Sequence, residues 1–232
     1  TVWGLVSRYL THPKLRQAFS IQPLLVGGNP FDTTSIYGLI HFLERAYGVH
    51  FAMGGTAAIT AALSQLMQRH GIEISLNATV TSVLIEDGNA TGVVLADGGV
   101  LAADLVVSNV DAAHLYGAMI KPSEQARSAR LKLAAAHYSM GLFVLYFGTT
   151  RTYPEVAHHT ISMGPRYREL LKDIFDRKIL AEDFSLYLHR PTATDPSFAP
   201  DGCDSFYVLC PVPNLQGKID WTQEGPRLRD RI

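Results

Sequence analysis

The chain has 232 residues, 20 Lys+Arg against 21 Asp+Glu for a formal net charge of −1, 47% apolar residues and 18% charged ones. The apolar share excludes intrinsic disorder, and the balanced charge argues against a nucleic-acid binder, which carries a basic stripe. Two cysteines, Cys203 and Cys210, cannot supply a disulfide framework or a four-ligand zinc site, and no run of about 18 apolar residues is present to span a bilayer as a helix.

Residues 1–24 read as helix broken near His12-Pro13: Val2, Leu5, Val6, Tyr9 and Leu10 recur at helical spacing, and proline disfavours helix in the residue before it. Residues 25–32 read as a loop. Thr33, Thr34 or Ser35 is placed to cap a helix over 36–47, whose Ile36, Leu39, Ile40 and Leu43 form one stripe. A short extended stretch over 48–55 ends in a glycine pair. Thr56 is then expected to cap a helix from 57 to about 70, stopped by Gly71.

The pattern next turns extended. Strands are expected over 72–76, 80–86, 92–96 and 101–107, with turns at Asp87-Gly88-Asn89 and Asp97-Gly98-Gly99. Leu105-Val106-Val107 is apolar enough for an interior strand. Residues 111–136 read as helix interrupted at Pro122-Ser123-Glu124. Strands follow over 138–147, 157–162, 184–189 and 205–212, with a helix over 166–175 and a proline-rich loop over 191–202. The chain opens on Thr1-Val2-Trp3-Gly4, without Met or a signal-peptide layout, and closes in a helix start with no stop signal. Both ends read as those of an interior fragment of a longer protein.

One stretch joins these signals in a suggestive order: Gly54-Gly55-Thr56, a helix, Gly71-Ile72-Glu73-Ile74, Asn77-Ala78-Thr79-Val80, Gly92 to Gly98, then Ala103-Asp104-Leu105-Val106-Val107-Ser108-Asn109. A helix followed by a β-meander is a common unit and by itself implies nothing. Paired glycines at a helix start, however, permit close approach of backbone to a bound group. With Leu15-Arg16-Gln17-Ala18-Phe19-Ser20, Leu24 to Phe31, Phe143-Val144-Leu145-Tyr146-Phe147-Gly148, Ala157-His158-His159-Thr160, Gly164 to Leu170, Asp183 to His189 and Glu224-Gly225-Pro226, the chain resembles the FAD-dependent, amine-oxidase-like oxidoreductases. Within that group it resembles the bacterial and fungal phytoene desaturases over almost its whole length.

The resemblance implies an α/β fold: a partial Rossmann-like FAD-binding domain, with a β-meander and a parallel strand, interleaved with an α+β substrate domain containing an antiparallel sheet. It implies a helical substrate- and membrane-contacting part over 1–52, the second part of the FAD-binding domain over 53–112, and the substrate domain over 113–232. Val80 is implied to hold the adenine through its backbone, and is otherwise a plain strand valine. Gly54, Gly55 and Thr56 are implied to edge the flavin cavity, or else simply to start a helix. Asn109 and Asp111 are implied to sit near the cofactor where strand passes to helix, Asp111 otherwise being a plain helix cap. No G-x-G-x-x-G is present to receive the pyrophosphate, and the catalytic residues are expected upstream of Thr1, so the isolated chain is expected to be inactive.

The other candidates are weaker. His158-His159 suggests a metal, but neighbouring strand residues face opposite ways, and no metal site is expected. Arg166-Tyr167-Arg168 reads as a solvated helix start before a phosphate site. Cys203 and Cys210 read as small packing residues, and no G-x-S-x-G elbow supports nucleophilic hydrolysis.

The chemistry implied by the resemblance is removal of hydrogen from phytoene, a C40 polyene, in carotenoid biosynthesis, with FAD accepting electrons and oxygen or a quinone receiving them last. Such a substrate calls for an apolar tunnel, with Phe19, Leu24, Leu25, Phe31, Tyr37, Phe42 and the 138–147 run as candidate walls. Peripheral contact with the inner face of a bacterial cell membrane is expected, through an interfacial helix in residues 1–47. The alternative is another flavin oxidoreductase or isomerase acting on a related terpenoid.

Overall fold

Helix α1 (Val2–Tyr9) starts where the Thr1 hydroxyl accepts the Gly4 amide proton at 3.1 Å, the side-chain cap that a helix start requires. The coordinates belong to a computed structural model that describes residues 1–122 and 124–232, with the side chains of Glu124 and Gln125 also outside the description. Helix α2 (Pro13–Ser20) begins on Pro13, so the expected break at His12 is observed. The expected helix over 36–47 starts as a tight 3₁₀ turn, Ser35–Gly38, and becomes α-helical only as α3 (Leu39–Tyr47). Thr34 occupies its cap position without making a side-chain hydrogen bond. Helix α4 (Gly55–Arg69) begins one residue before Thr56, which therefore lies in the first turn rather than capping it.

The described chain divides into two compact units, one of Thr1–Ala62 with Tyr138–Ile232 and one of Leu63–His137. The second unit is built on an antiparallel meander of β1 (Val80–Glu86), β2 (Asn89–Leu95) and β3 (Val100–Ala102), in the order β1-β2-β3. Asp87 and Gly88 turn the first hairpin with φ of 48° and 82°, the left-handed pair that a two-residue turn needs between twisted strands. Gly92, at φ 156°, lets β2 and β3 approach: a Cβ there would lie 2.3 Å from the Leu101 carbonyl oxygen.

Two expected strands are not formed. Residues 72–76 join no ladder, Leu76 already lying in a turn, and β3 stops at Ala102, leaving Leu105 and Val107 at 77% and 87% exposure. The apolar run is therefore not interior, and the parallel strand expected there has no parallel neighbour among the described residues. Strand geometry needs a partner edge, which composition alone does not supply. After it, α5 (Ala112–His114) passes through a π turn, Leu115–Met119, before α6 (Glu124–Ala134). Ile120 is extended, so the helix does break where expected, although Ser123 itself lies outside the described residues. Arg130 clamps the break by donating to the carbonyls of Tyr116 at 2.6 Å and Ile120 at 2.7 Å.

The first unit resumes with β4 (Gly141–Thr149), β5 (His159–Ser162), α7 (Tyr167–Lys172), β6 (Leu186–His189), β7 (Asp204–Val212) and α8 (Trp221–Arg231). Its strands form an antiparallel sheet in the order β4-β7-β6-β5. β7 alternates strictly between buried and half-buried residues, so its two faces meet different surroundings. Cys210 and Val212 pack on Leu228 of α8, where burying the leucine contributes about 1.5–3 kcal/mol. Burial pushes the Cys210 thiol up to about 12, which makes it a packing group rather than a nucleophile. Tyr167, Leu170, Leu171 and Ile174 form a further core with Met140, against which Trp3 and Phe31 pack. The mixed α/β class and the antiparallel sheet are thus both present, and no described helix is long and apolar enough to cross a membrane.

Candidate functional site

Strand register assigns one sheet face of the first unit residue by residue. Leu142, Val144 and Tyr146 of β4 stand opposite Pro211, Leu209 and Tyr207 of β7. Tyr187 and His189 of β6 stand opposite Leu209 and Tyr207, and Ile161 and His159 of β5 stand opposite Tyr187 and His189. Period-two alternation puts all of these on the same side. The side is aliphatic at one end and aromatic at the other. The Tyr207 ring centroid lies 5.6 Å from Tyr146, 6.0 Å from Tyr187 and 4.5 Å from His189. At the aliphatic end a small cavity of about 100 Å³ is lined by Leu24, Leu25, Leu142, Ile161 and Leu209 among others.

At the aromatic end a cavity of about 620 Å³ opens beside the start of α4. Gly55 and Thr56 line it together with Phe51, Tyr146, His189 and Tyr207. Gly54 and Gly55 have φ of 82° and 72°, and a Cβ on Gly55 would lie 2.8 Å from Cζ of Phe198. Both positions therefore require glycine, and bare backbone edges the cavity. The Gly54 amide donates to Asp195 at 2.8 Å and the Gly55 amide to the Ala52 carbonyl at 2.8 Å. These amides are already engaged, so the pair offers close approach rather than hydrogen bonds. Such an edge fits the flat face or rim of an aromatic ring system. Two polar atoms of lining residues, Oγ of Ser205 and Nδ1 of His189, are buried without a partner. Both atoms are shut off from the open space, so their unmet hydrogen bonds are a cost of burial.

The loop after β6 is held from below by two carboxylates. Asp195 caps the turn Pro196–Phe198 by accepting from the Ser197 amide at 3.1 Å and its hydroxyl at 2.6 Å, besides the Gly54 amide. The Ser197 hydroxyl and the Gly54 amide hold its carboxyl below the usual range. Asp204, 3% exposed, accepts from Arg190 at 3.1 Å, from the Tyr153 amide at 2.7 Å and from the Thr192 hydroxyl. Although burial raises its pKa, the Thr192, Tyr153 and Arg190 hydrogen bonds outweigh that and keep it ionised.

The histidines need a correction. Alternation was expected to separate His158 from His159, but β5 begins only at His159, so the rule does not govern His158. The two rings lie 4.4 Å apart, and His158, His159 and His189 each offer a ligand atom within 4.8 Å of the others. The contact of His158 with His189 is of a particular kind. Their Nε2 atoms are 2.7 Å apart while the ring centroids are 4.7 Å apart, so the two nitrogens face each other between the rings. At that distance the two nitrogens can share one proton in a hydrogen bond. Burial, then its neighbours His158 and His159, push His189 down to about 4. Burial, His159 and Arg190 also lower His158.

The remaining sequence-derived candidates fall into place as follows. Val80 opens β1 opposite Leu95, with a register break between Val80 and Ser82. Asp111 caps α5, accepting from the amides of Ala113 at 2.9 Å and His114 at 3.3 Å, so the plain cap is realised, and Asn109 is exposed just before it. Val80, Asn109 and Asp111 belong to the second unit, Gly54, Gly55 and Thr56 to the first. Arg166, at the N-cap of α7, pairs with Asp173 and Asp183, Tyr167 is core, and the Arg168 guanidinium lies 3.7 Å over the Phe31 ring; both arginines are exposed, so the trio is a solvated helix start whose cations are engaged within the chain. Sequence reasoning missed His189, Ser205, Asp195 and Asp204. Only Asp195-Pro196-Ser197 carried a local signal, that of a capped turn.

The profile of the family described as flavin containing amine oxidoreductase matches residues 4–201. A phytoene desaturase (lycopene-forming) from Pseudescherichia vulneris is 51% identical over 100% of this chain and 47% of its own length. A phytoene desaturase (neurosporene-forming) from Rhodobacter capsulatus is 44% identical over 100% of this chain and 45% of its own. The chain thus spans about half the length of the curated relatives it matches. An oxidoreductase of known structure from Methanosarcina mazei superposes with a TM-score of 0.70 at 18% identity, covering 99% of this chain and 51% of that one, a likeness of fold.

Proposed function

We propose, from the premise that this chain belongs to the flavin containing amine oxidoreductase family, that it is part of a desaturase that introduces double bonds into phytoene in carotenoid biosynthesis. The family implies a flavin, and we infer FAD as its form. The observation that carries the reading is the sheet face described above: an unbroken run of aliphatic and aromatic side chains from Leu142 and Pro211 to Tyr146 and Tyr207. A C40 hydrocarbon presents no hydrogen-bonding handle, so only apolar length and shape can align it.

A bound flavin would supply a two-electron acceptor. The chain's own contribution is placement. Gly54, Gly55 and Thr56 would border the ring system, and Val80 would present its backbone to the adenine where the register of β1 breaks. Asn109 and Asp111 would lie near the cofactor, with 53–112 the second part of the FAD-binding domain, 113–232 the substrate domain, and the catalytic groups upstream of Thr1. Leu24, Leu25, Leu142, Tyr146 and Phe147 line the two cavities, which supports them as substrate walls. Of the other wall candidates, Phe31 packs into the Tyr167 core and Phe19 against the His41 ring at 5.0 Å, so neither lines these cavities.

Residues 1–47 expose Tyr9, Leu25, Val26, Ile36, Phe42 and Tyr47 at 59–79%. This supports peripheral contact with the inner face of a bacterial membrane. Oxygen or a quinone would be the final electron acceptor. The test is co-expression of the full-length protein with a phytoene-forming synthase, followed by chromatography of the pigments. Coloured polyenes of longer conjugation are expected. Unaltered phytoene would overturn the reading, and a product of equal hydrogen content would identify an isomerase.

A further inference from the structure

Strand register gathers three imidazoles that the desaturase reading leaves without a role. His159 opens β5 opposite His189 at the end of β6, and the His158 ring folds in beside both. Ring centroids lie 4.4 Å apart for His158 and His159, 4.7 Å for His158 and His189, and 5.3 Å for His159 and His189. One ring nitrogen of each lies within 4.8 Å of the other two. Among the described residues no other group of three or more His, Cys, Asp or Glu side chains converges in this way. The expectation of no metal rested on strand alternation, which His158 escapes by lying just before β5.

Outer partners decide which nitrogen of each ring is left for an ion. Nδ1 of His158 lies 2.5 Å from Oγ1 of Thr194, and Nδ1 of His159 lies 2.6 Å from the hydroxyl of Tyr187. Each ring thus engages an oxygen through Nδ1 and keeps Nε2, which is how a neighbouring group fixes the tautomer of a ligating histidine. Nε2 of His189 faces Nε2 of His158 at 2.7 Å, while its Nδ1 is buried and unpartnered. Nitrogens on a tetrahedral ion at about 2.0–2.1 Å stand roughly 3.3 Å apart, so this pair must open by about 0.6 Å. The exposed His159 ring is free to swing in, and with His158 half-buried an ion can enter from solvent. Asp204 holds the Arg190 guanidinium at 3.1 Å and so offsets its repulsion of a cation.

We propose that Nε2 of His158, His159 and His189 together bind one divalent transition-metal ion of the zinc class, with water in the fourth position. Three imidazoles with no converging carboxylate suit Zn²⁺ and disfavour Mg²⁺ and Ca²⁺, which need oxygen ligands. The ion ties the start of β5 to the end of β6 and, through Thr194, to the loop that carries Asp195, beside the wall of the aromatic-end cavity. One feature limits its strength. With Nε2 of His189 on the ion, the hydrogen of that ring sits on Nδ1, where it meets no acceptor. Binding about 10–100-fold weaker than at a site with three oriented imidazoles is therefore expected. The site needs neither flavin nor polyene, so it stands apart from the desaturase reading.

The test uses the full-length, flavin-loaded protein, stripped of metal with a chelator and titrated with zinc chloride in a calorimeter. One Zn²⁺ per chain with a micromolar or tighter Kd is expected. His159→Gln alters an exposed side chain and is expected to weaken that binding by about 10–100-fold or more, as is His158→Gln. The melting temperature should rise with zinc concentration in the unsubstituted protein and stay flat in His159→Gln, since an ion that binds only the folded chain stabilises it. No binding at millimolar zinc, or binding left unchanged by both substitutions, would overturn the site. X-ray absorption of the zinc-loaded protein needs no variant and decides even if one fails to fold. Three nitrogens at about 2.0–2.1 Å and one oxygen are expected, and a shell dominated by oxygen or sulfur would overturn the site. None of these readouts involves polyene turnover, so failure of the desaturase reading would show separately, in the pigments.

Discussion

Asp195 accepts the amide proton of Gly54 at 2.8 Å, a hydrogen bond across 141 positions of sequence. It ties the positive-φ entry of α4 to the capped turn Pro196–Phe198, and Phe198 from that turn closes over Gly55. The glycine pair and the loop after β6 are therefore one local assembly, and the shape of the aromatic-end cavity depends on it.

Removing that carboxylate should loosen both sides together. Asp195→Ala is expected to lower the melting temperature by about 2–4 °C, as the loss of a cap does in a chain of this size. Asp195→Asn should lose less, because its amide oxygen can still accept from Gly54. Thermal denaturation by circular dichroism checks this, and equal melting of all three proteins would count against the tether.

Gly55→Ala meets two obstacles, a φ of 72° and a Phe198 carbon at 2.8 Å from the new methyl. A loss of about 1–3 kcal/mol is expected. Adding Phe198→Ala should recover the steric part and leave the backbone part, so the two changes should not be additive. Urea titration of the four members of the cycle measures the coupling.

Arg190 and Asp204 form a pair at 3.1 Å with side chains 10% and 3% exposed. Asp204→Ala leaves a buried guanidinium unpaired and is expected to cost about 3–5 kcal/mol. The double change Arg190→Met with Asp204→Leu should cost clearly less, because no charge is stranded. Chemical denaturation of the single and double variants decides between them.

Burial lowers His189 from 6.5 to about 4. A histidine whose pKa falls on folding binds more protons in the unfolded chain between those values, so stability falls as pH drops from about 6.5 towards 4. Allowing for solvent screening, the loss is on the order of 1–2 kcal/mol. His158 shifts in the same direction and adds to it. Melting curves at pH 7 and pH 5 should therefore diverge less in His189→Phe than in the unsubstituted protein.

Residues 1–47 cannot simply be deleted to test membrane contact, because Val2 and Ser20 are fully buried. Ile36→Ser, Phe42→Ser and Tyr47→Ser change only exposed side chains. The triple variant is expected to pellet several-fold less with anionic liposomes while keeping its melting temperature. Equal pelleting would reject this surface as the membrane contact.

The sequence alone determined whatever is decided within a few residues. Asp87-Gly88 set the hairpin, Pro13 set the start of α2, and composition with flanking turn residues placed β7 and β1 nearly to the residue, because turn φ values and strand propensity are local properties. The long matching strings also carried the family. Tertiary structure decided the rest. Leu105-Val106-Val107 has the composition of an interior strand and forms none, since a ladder needs an edge that the segment does not encode. His158, His189 and Thr194 carry no mutual spacing signal, and neither do Gly54 and Asp195. They meet because antiparallel register sets His189 beside His159 and the following loop folds back, and contacts between residues so far apart in the chain follow from how the strands pair rather than from any local pattern.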